Sequence, residues 1–328
     1  MFRKYRSVIE PFKSDQQLKE VSTYEECVSE IVKANLNLDS SSKKYYEIIE
    51  QFPKLKIERI ENITESNLTK NIVGMLNIEV SIGDRKMKFL FDTGAQISCI
   101  NSKYFESSIG VSRSKSRVEV GDSTGTFSEM EIALTDKVEV LGMSIENLPM
   151  LAIKEEQLSL RLFGKTIFDI DGVLGWDVIK LVDFELDYKS LKIALLSRED
   201  KNEENNFIDS DFPVVLVSDD RDRIRKFGID TGARKSWINE KLIKENQMNI
   251  LKKRKQKIHG AHGTVKQYVY LIDEYNVAML NHKIALKNLK TGYTMFLNNC
   301  EFDGVFGVDI AKNNIIVFLN SSGTLKFK

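Results

Sequence analysis

Hydrophobic and polar residues follow two different periods along the chain, and the change comes near residue 72. Before it, the ranges 23–36 and 42–52 place apolar residues at helical spacing among many charges, so the N-terminal segment 1–71 is predicted to be helical. After it, short runs with apolar residues at every second position are separated by Gly, Asp or Asn, which is typical of half-buried antiparallel strands. The ranges 75–82 and 86–91, joined by Gly83-Asp84, predict a β-hairpin.

The β region contains the same series of short motifs twice. The stretch 91–98 (FDTGAQIS) returns as 229–236 (IDTGARKS), and 171–177 (DGVLGWD) returns as 303–309 (DGVFGVD). Between them lie two glycine-bearing loops at matching distances from the preceding Asp-Thr-Gly, 121–125 (GDSTG) and 260–263 (GAHG). The common order predicts two homologous domains, 72–196 and 212–328, which are joined by a polar, acidic linker at 197–211.

Chain length, net charge and cysteine content exclude several classes of protein. The chain has 328 residues, which suits two domains, and 48 basic against 48 acidic residues give a formal net charge of +0. No overall field therefore draws it to nucleic acid or to an anionic membrane surface, and neither is expected as a partner. Cys27, Cys99 and Cys300 are few and far apart, so the sequence predicts neither a disulfide framework nor a metal site. With no readable secretory signal, a cytoplasmic location is expected.

The candidate chemistry lies in two aspartates, each placed on a tight turn directly after an apolar strand. A pseudo-twofold arrangement of the two domains would bring Asp92 and Asp230 together across the interface. Two carboxyl groups that share one site hold a single proton between them, so that one can act as general base and the other as general acid. A water molecule between them could then hydrolyse an amide without a metal or a covalent intermediate.

With these motifs, residues 70–328 resemble two retropepsin-type aspartic protease domains fused in one polypeptide. The resemblance implies a mainly β fold of two homologous acid-protease barrels with pseudo-twofold symmetry, and an endopeptidase that cleaves peptide or protein substrates with no cofactor and no metal. It implies that Asp92 and Asp230 are the catalytic dyad. The residues that would support the dyad are Thr93, Gly94, Ala95, Thr231, Gly232 and Ala233. The residues that would form two flaps over the bound peptide are Gly121, Asp122, Ser123, Gly260, Ala261 and His262.

Several alternatives stay open at this point. A catalytically silent peptide-binding or scaffolding module would carry the same motifs, although two intact aspartates favour the enzyme. Because fused domains meet at high effective concentration, a monomer with an intramolecular dyad is expected. The segment 1–71 could be a pro-segment that occupies the cleft, a partner-binding domain, or plain structural support. Ala95 and Ala233 lack a hydroxyl that would favour the charged dyad, which predicts raised pKa values and activity nearer neutral pH.

Overall fold

The computed structural model describes residues 23–36, 40–60, 63–72, 74–106, 109–121, 127–162, 165–197, 205–208, 210–259, 264–291, 296–297 and 300–328. Five predicted flap residues, Asp122, Ser123, Gly260, Ala261 and His262, lie outside these ranges. The α-helices within the ranges are α1 (Tyr24–Leu36), α2 (Ser40–Ile49), α3 (Glu155–Leu158), α4 (Trp176–Ile179) and α5 (Glu240–Asn246). Two 3-10 helices cover Ser102–Glu106 and Val308–Ala311.

Strands make up most of the described chain. The first part contains β1 (Lys56–Arg59), β2 (Glu65–Lys70), β3 (Leu76–Ile82), β4 (Arg85–Phe91), β5 (Cys99–Asn101), β6 (Val111–Gly121), β7 (Phe127–Val140), β8 (Met143–Ile153), β9 (Ser159–Leu162), β10 (Lys165–Asp169), β11 (Gly172–Leu174), β12 (Asp183–Asp187) and β13 (Lys192–Leu196). The second part contains β14 (Phe207–Ile208), β15 (Val214–Asp219), β16 (Ile224–Ile229), β17 (Trp237–Ile238), β18 (Ile250–His259), β19 (Thr264–Met279), β20 (His282–Thr291), β21 (Phe296–Leu297), β22 (Cys300–Glu301), β23 (Gly304–Phe306), β24 (Ile315–Leu319) and β25 (Thr324–Phe327).

The two repeats fold alike. In the first repeat, β4 runs parallel to β11, β11 pairs antiparallel with β5, and β5 runs parallel to β8. The second repeat has the same arrangement: β16 runs parallel to β23, β23 pairs antiparallel with β17, and β17 runs parallel to β20. A long hairpin leaves each repeat, β6–β7 in the first and β18–β19 in the second, and β18 forms a sheet edge. The predicted mainly β fold with two barrel-like repeats is therefore confirmed.

A shared sheet and a shared apolar core hold the repeats together. Strand β12 of the first repeat pairs antiparallel with β24 of the second, so that Phe184 lies opposite Phe318. The rings of these two residues stack with centroids 4.5 Å apart. Trp176 and Phe207 pack edge to face beside them, 5.8 Å apart. Because fully buried aromatic pairs of this kind join both repeats, the relative position of the two aspartate-bearing turns is set by packing.

The N-terminal segment contains the two predicted helices and also two strands that were not predicted. Strand β1 pairs with β8, and β2 lies between β13 and β3 in the sheet. All four residues of β1 are exposed, and Leu68 is the buried residue of β2, so neither strand carries the alternating pattern of a half-buried strand. In the predicted linker 197–211, Phe207 and Ile208 form β14 and are buried.

Helix α1 packs against the second repeat. Its Cys27 and Ile31 are buried with Phe212 and Phe302, and the Lys226 ammonium forms an ion pair with Glu30. This packing ties the N-terminal segment to the barrel farther along the chain. No helix in the described ranges has the length and apolar character needed to cross a membrane.

Candidate active site

The two predicted catalytic aspartates occupy equivalent turns. Asp92 follows β4 and its N–H donates to the carbonyl of Leu174 at 3.0 Å, while the N–H of Asp230 donates to Phe306 at 2.9 Å. Each turn is closed on its other side by a hydrogen bond to an alanine carbonyl. These bonds run from Trp176 N to Ala95 O (2.7 Å) and from Val308 N to Ala233 O (2.9 Å). Strand β11 or β23, together with the short helix that follows it, therefore fixes each turn from both ends.

Thr93 and Thr231 interlock across the boundary between the repeats. The N–H of Thr93 donates to Thr231 Oγ1, and the N–H of Thr231 donates to Thr93 Oγ1, both at 3.0 Å. Each hydroxyl in turn donates to a carbonyl of the opposite repeat at 2.8 Å, Thr93 to Ile229 and Thr231 to Phe91. Both threonines are buried, so these four bonds satisfy groups that water cannot reach.

Each aspartate carboxyl lies against the glycine of the opposite turn. A Cβ added to Gly94 would stand 2.5 Å from Asp230 Cγ, and one added to Gly232 would stand 2.6 Å from Asp92 Oδ2. No side chain larger than that of glycine fits in either place without moving a carboxyl group. Each carboxyl group thus reaches across to the opposite turn and lies near enough to the other to influence its pKa, so the structure brings the predicted pair together.

The surroundings of the pair favour one retained proton. Burial raises the pKa of both carboxyl groups above the ordinary aspartate value, and the charge of Asp92 raises the pKa of Asp230 further. The N–H of Gly94 donates to Asp92 Oδ1 at 2.8 Å, which favours the charged form of Asp92. Backbone N–H groups of Gly232 and Ala233 act on Asp230 in the same direction, so these effects leave one proton shared by the pair.

A serine and a second aspartate brace each turn from behind, and sequence reasoning did not name them as site residues. Ser98 Oγ donates to Asp177 Oδ1 at 2.7 Å, and Ser236 Oγ donates to Asp309 Oδ1 at 2.7 Å. Each serine hydroxyl also accepts a backbone N–H at 3.0 Å, from Gly175 and Gly307 respectively. The signal was present in the repeat, because each serine follows its turn aspartate by six residues in both copies.

The predicted flap loops are placed only in part. Gly121 ends β6, and the hairpin of the second repeat is described up to His259. The remaining flap residues lie outside the described residues, so their position over the dyad stays a prediction. Among the residues that the structure describes, no group of three or more His, Cys, Asp or Glu side chains is arranged to bind a metal ion.

Comparison with known families agrees with the duplicated architecture. The model of an aspartyl protease family matches residues 78–178 and again residues 216–310, which together are more than half of the chain. Each match contains one Asp-Thr-Gly turn and its partner strand β11 or β23. No curated protein matches the chain significantly. From the repeated motifs, the paired turns and these two matches, the chain belongs to the aspartyl protease family and contains two fused retropepsin-like domains.

Proposed function

We propose that the protein is an aspartic endopeptidase whose catalytic dyad is Asp92 and Asp230 of the same chain. The main support for this proposal is that the two buried carboxyl groups lie near each other and each lies against the glycine of the opposite turn. A pair of turn-capping aspartates with only a structural role would not need this reciprocal contact between buried carboxyl groups. Their desolvation disfavours two negative charges and leaves a general acid beside a general base.

The dyad titrates as a pair, and the proposal takes Asp92 as its charged member and Asp230 as its protonated member. Asp92, as the charged member, accepts a proton from a water molecule, whose oxygen bonds to the carbonyl carbon of the peptide. Asp230 donates its proton to the carbonyl oxygen, which gives a neutral tetrahedral diol. The proton on Asp92 then passes to the amide nitrogen, the C–N bond breaks, and Asp230 regains a proton from the diol as the carboxylic acid forms. The products are a new carboxyl terminus and a new amino terminus.

The hairpins β6–β7 and β18–β19 would cover an extended peptide from both sides. The proposal gives the tip of each hairpin the role of a flap, so that closure excludes water from the dyad. An extended peptide lying between two such hairpins can form main-chain hydrogen bonds with them, as in the addition of a strand to a sheet.

Separate Asp92→Asn and Asp230→Asn variants test this proposal directly. Loss of either group removes general acid-base catalysis, so each variant should cleave a peptide library about a thousandfold more slowly than the parent chain, or not at all. Asp84→Asn, at an exposed position of the first hairpin turn, is the matched control and should leave the rate unchanged. Parent and variants that bind peptides equally and cleave none would establish the silent scaffold instead.

The pH profile gives a second readout of the same dyad. Activity requires one proton on the pair, so the rate should fall as pH rises through the raised pKa of Asp230 and both groups become charged. It should also fall at low pH, where Asp92 becomes protonated. A bell-shaped dependence of kcat/KM, absent from both asparagine variants, is the expected result; a flat profile would contradict a shared proton.

A further inference from the structure

Helix α2 of the N-terminal segment packs against the chain that follows the Asp92 turn of the first repeat. Its Tyr45 and Ile48 are buried in an apolar cluster that also contains Ile97, Cys99 and Val173. Ile97 and Cys99 follow Asp92 by five and seven residues, and Val173 belongs to β11, the strand that holds the Asp92 turn. Cys99 pairs in register with Val173, next to Leu174, whose carbonyl accepts the N–H of Asp92. Burial and the charges of Asp177 and Asp92 raise the pKa of the Cys99 thiol.

The other wall of the same cluster is the hairpin that leads to the first predicted flap. Val118 and Val120 of β6 and Met130 of β7 pack against it, and β6 is in contact with α2. Val120 immediately precedes Gly121 at the end of the described strand. Helix α2 therefore packs both against the chain that follows the Asp92 turn and against the hairpin that leads to the first predicted flap.

A polar contact also holds α2 to the connection between the repeats. Tyr46 Oη donates to Asp211 Oδ1 at 3.2 Å, one residue before the buried Phe212. The backbone of α2 is helical, so its peptide groups are hydrogen-bonded within the helix and present no extended bond to the dyad. An occupant of this shape can fill a cleft without being cut.

We propose that α2 occupies the part of the substrate cleft that the first repeat forms, and that it must be displaced before a peptide binds there. This inference rests on the proposed peptidase function. The surface beneath α2 is the binding surface for the peptide, and the side chains that now cover it, one aromatic and one aliphatic, show the chemistry that it accepts. The substrate class is thus a peptide with large apolar side chains on this side of the cleft. Because α2 is part of the same chain, it competes at high effective concentration.

Weakening α2 should activate the enzyme. The double variant Tyr45→Ala/Ile48→Ala removes the two buried anchors, and kcat/KM for apolar peptides should rise about tenfold or more, because the open state becomes more populated. Glu47→Ala, at an exposed position of the same helix, is the matched control and should change nothing. Equal rates in the double variant and the parent would overturn the inference and leave the peptidase function intact. No cleavage by either protein would instead count against the proposed function.

Hydrogen exchange tests displacement in the unmodified chain. The probe is a statine-containing peptide, whose hydroxyl group mimics the tetrahedral intermediate. At saturation, backbone amides of α2 should exchange about tenfold faster or more, while those of β6 and β7 become protected. Protection of the hairpin with unchanged exchange in α2 would show that the helix is structural support. Absence of protection anywhere would contradict the proposed function.

The equivalent position of the second repeat carries a positive charge instead of an apolar side chain. In the first repeat, Cys99 pairs in register with Leu151, which belongs to the apolar cluster under α2. In the second repeat, Trp237 stands in the place of Cys99, and its partner in the same parallel pairing is Lys290. A half-buried cation thus takes the position of a buried leucine.

Two further cations lie near Lys290. Lys235 precedes its strand partner Trp237 by two residues, and Arg254 lies on β18, which only β19 separates from the strand of Lys290. Burial and the positive charges of both lower the pKa of Lys290. Lys235 stands 3.8 Å from Asp309, but within the described ranges neither Lys290 nor Arg254 forms an ion pair with an acidic side chain. Three neighbouring cations with so little local compensation form a site that favours a negative charge.

The geometry points to a subsite of the second repeat, formed by Lys235, Arg254 and Lys290, that accepts an acidic side chain of the substrate. This second inference also rests on the proposed function. A cleft with one apolar half and one cationic half would select peptides that carry a large apolar residue on one side of the scissile bond and Glu or Asp on the other.

Paired peptides that differ only by Glu or Gln on one side of the scissile bond test the subsite. The ratio of their kcat/KM values is unaffected by α2, because the helix lowers both rates by the same factor. The parent should prefer Glu about tenfold, less at high salt, and Lys290→Leu should lower that preference several-fold. Lys283→Leu, exposed on the same strand, is the matched control. An equal preference in the parent and in Lys290→Leu would overturn the subsite, whereas a parent that cleaves neither peptide would count against the peptidase itself.

Discussion

The long hairpins of the two repeats differ in what covers them. In the first repeat, Val118 and Met130 are buried against α2, with 2% and 6% of their surface exposed. In the second repeat, Tyr268 at a comparable place in the hairpin is 59% exposed. The ammonium groups of Lys253 and Lys255 lie over its ring, 4.9 and 5.9 Å from the centroid. One hairpin is thus an apolar surface under a helix, and the other is a charged surface that meets solvent.

The turns at the bases of these hairpins do not differ in this way. The threonine interlock, the glycine contacts and the serine-aspartate brace occur in both repeats with nearly equal distances. The contacts that hold the carboxyl pair are therefore the same in both repeats, because the threonine and glycine of each repeat support the aspartate turn of the other. In the proposed function each hairpin would contact one side of the cleft, and nothing in the dyad requires the two hairpins to match.

The largest expected effect tests the symmetry of the turns. Gly94→Ala and Gly232→Ala would each place a Cβ within 2.5 to 2.6 Å of the opposite carboxyl group, which must move. Displacement of a general acid or base should lower kcat/KM about a thousandfold, and by a similar factor in both variants. Steady-state kinetics with one peptide, together with a circular dichroism spectrum for each variant, measure this. A loss in one variant alone would break the equivalence of the two repeats.

The next largest effect concerns a difference between Asp177 and Asp309, the two aspartates that brace the turns. Burial raises the pKa of Asp177 to about 6, whereas its counterpart Asp309 has Lys235 at 3.8 Å. The folded chain holds the Asp177 proton more tightly than the unfolded chain, so this group's contribution to stability is greatest below pH 3.8 and decreases until about pH 6. The loss at neutral pH is about 3 kcal/mol, at about 1.4 kcal/mol per pKa unit.

Asp177→Asn should therefore remove much of the decrease in stability between about pH 4 and pH 6 while keeping an acceptor for Ser98 Oγ. Urea unfolding at several pH values measures it. The groups around Asp177 that carry or can carry charge are Tyr45, Tyr46, Cys99 and Lys180, so Tyr45→Phe is a useful companion variant. An unchanged pH dependence in Asp177→Asn would show that this carboxyl is charged in the folded chain.

The smallest expected effect is the difference in stability between substitutions in the two hairpins. Val118→Ala removes two buried methyl groups between β6 and α2 and should lower the free energy of unfolding by about 2 kcal/mol. Tyr268→Ser, in the exposed hairpin, should change it by less than about 0.5 kcal/mol, since only a solvent-exposed ring contact is lost. Thermal and urea unfolding would compare them. Equal losses would mean that the second hairpin is also covered by packing.

Sequence reasoning reached the helices, the duplicated strands and the aspartate pair because each has a local signature. Helical periodicity predicted α1 and α2, and alternation with a glycine turn predicted β3 and β4. Strand β1 escaped because all its residues are exposed and no period of two exists to be read. The role of Ser98 and Ser236 escaped because their partners lie 79 and 73 residues away in the chain.

The sequence alone determined that two homologous halves exist and that each carries one aspartate on a glycine turn, since a repeat is visible without coordinates. Only the tertiary structure decided that the two carboxyl groups meet, because that contact depends on the aromatic packing and the β12–β24 pairing between the halves. It also decided where α2 lies. Amphipathic periodicity shows that a helix must bury one face, but the surface that buries it is chosen by contacts between residues far apart in the chain.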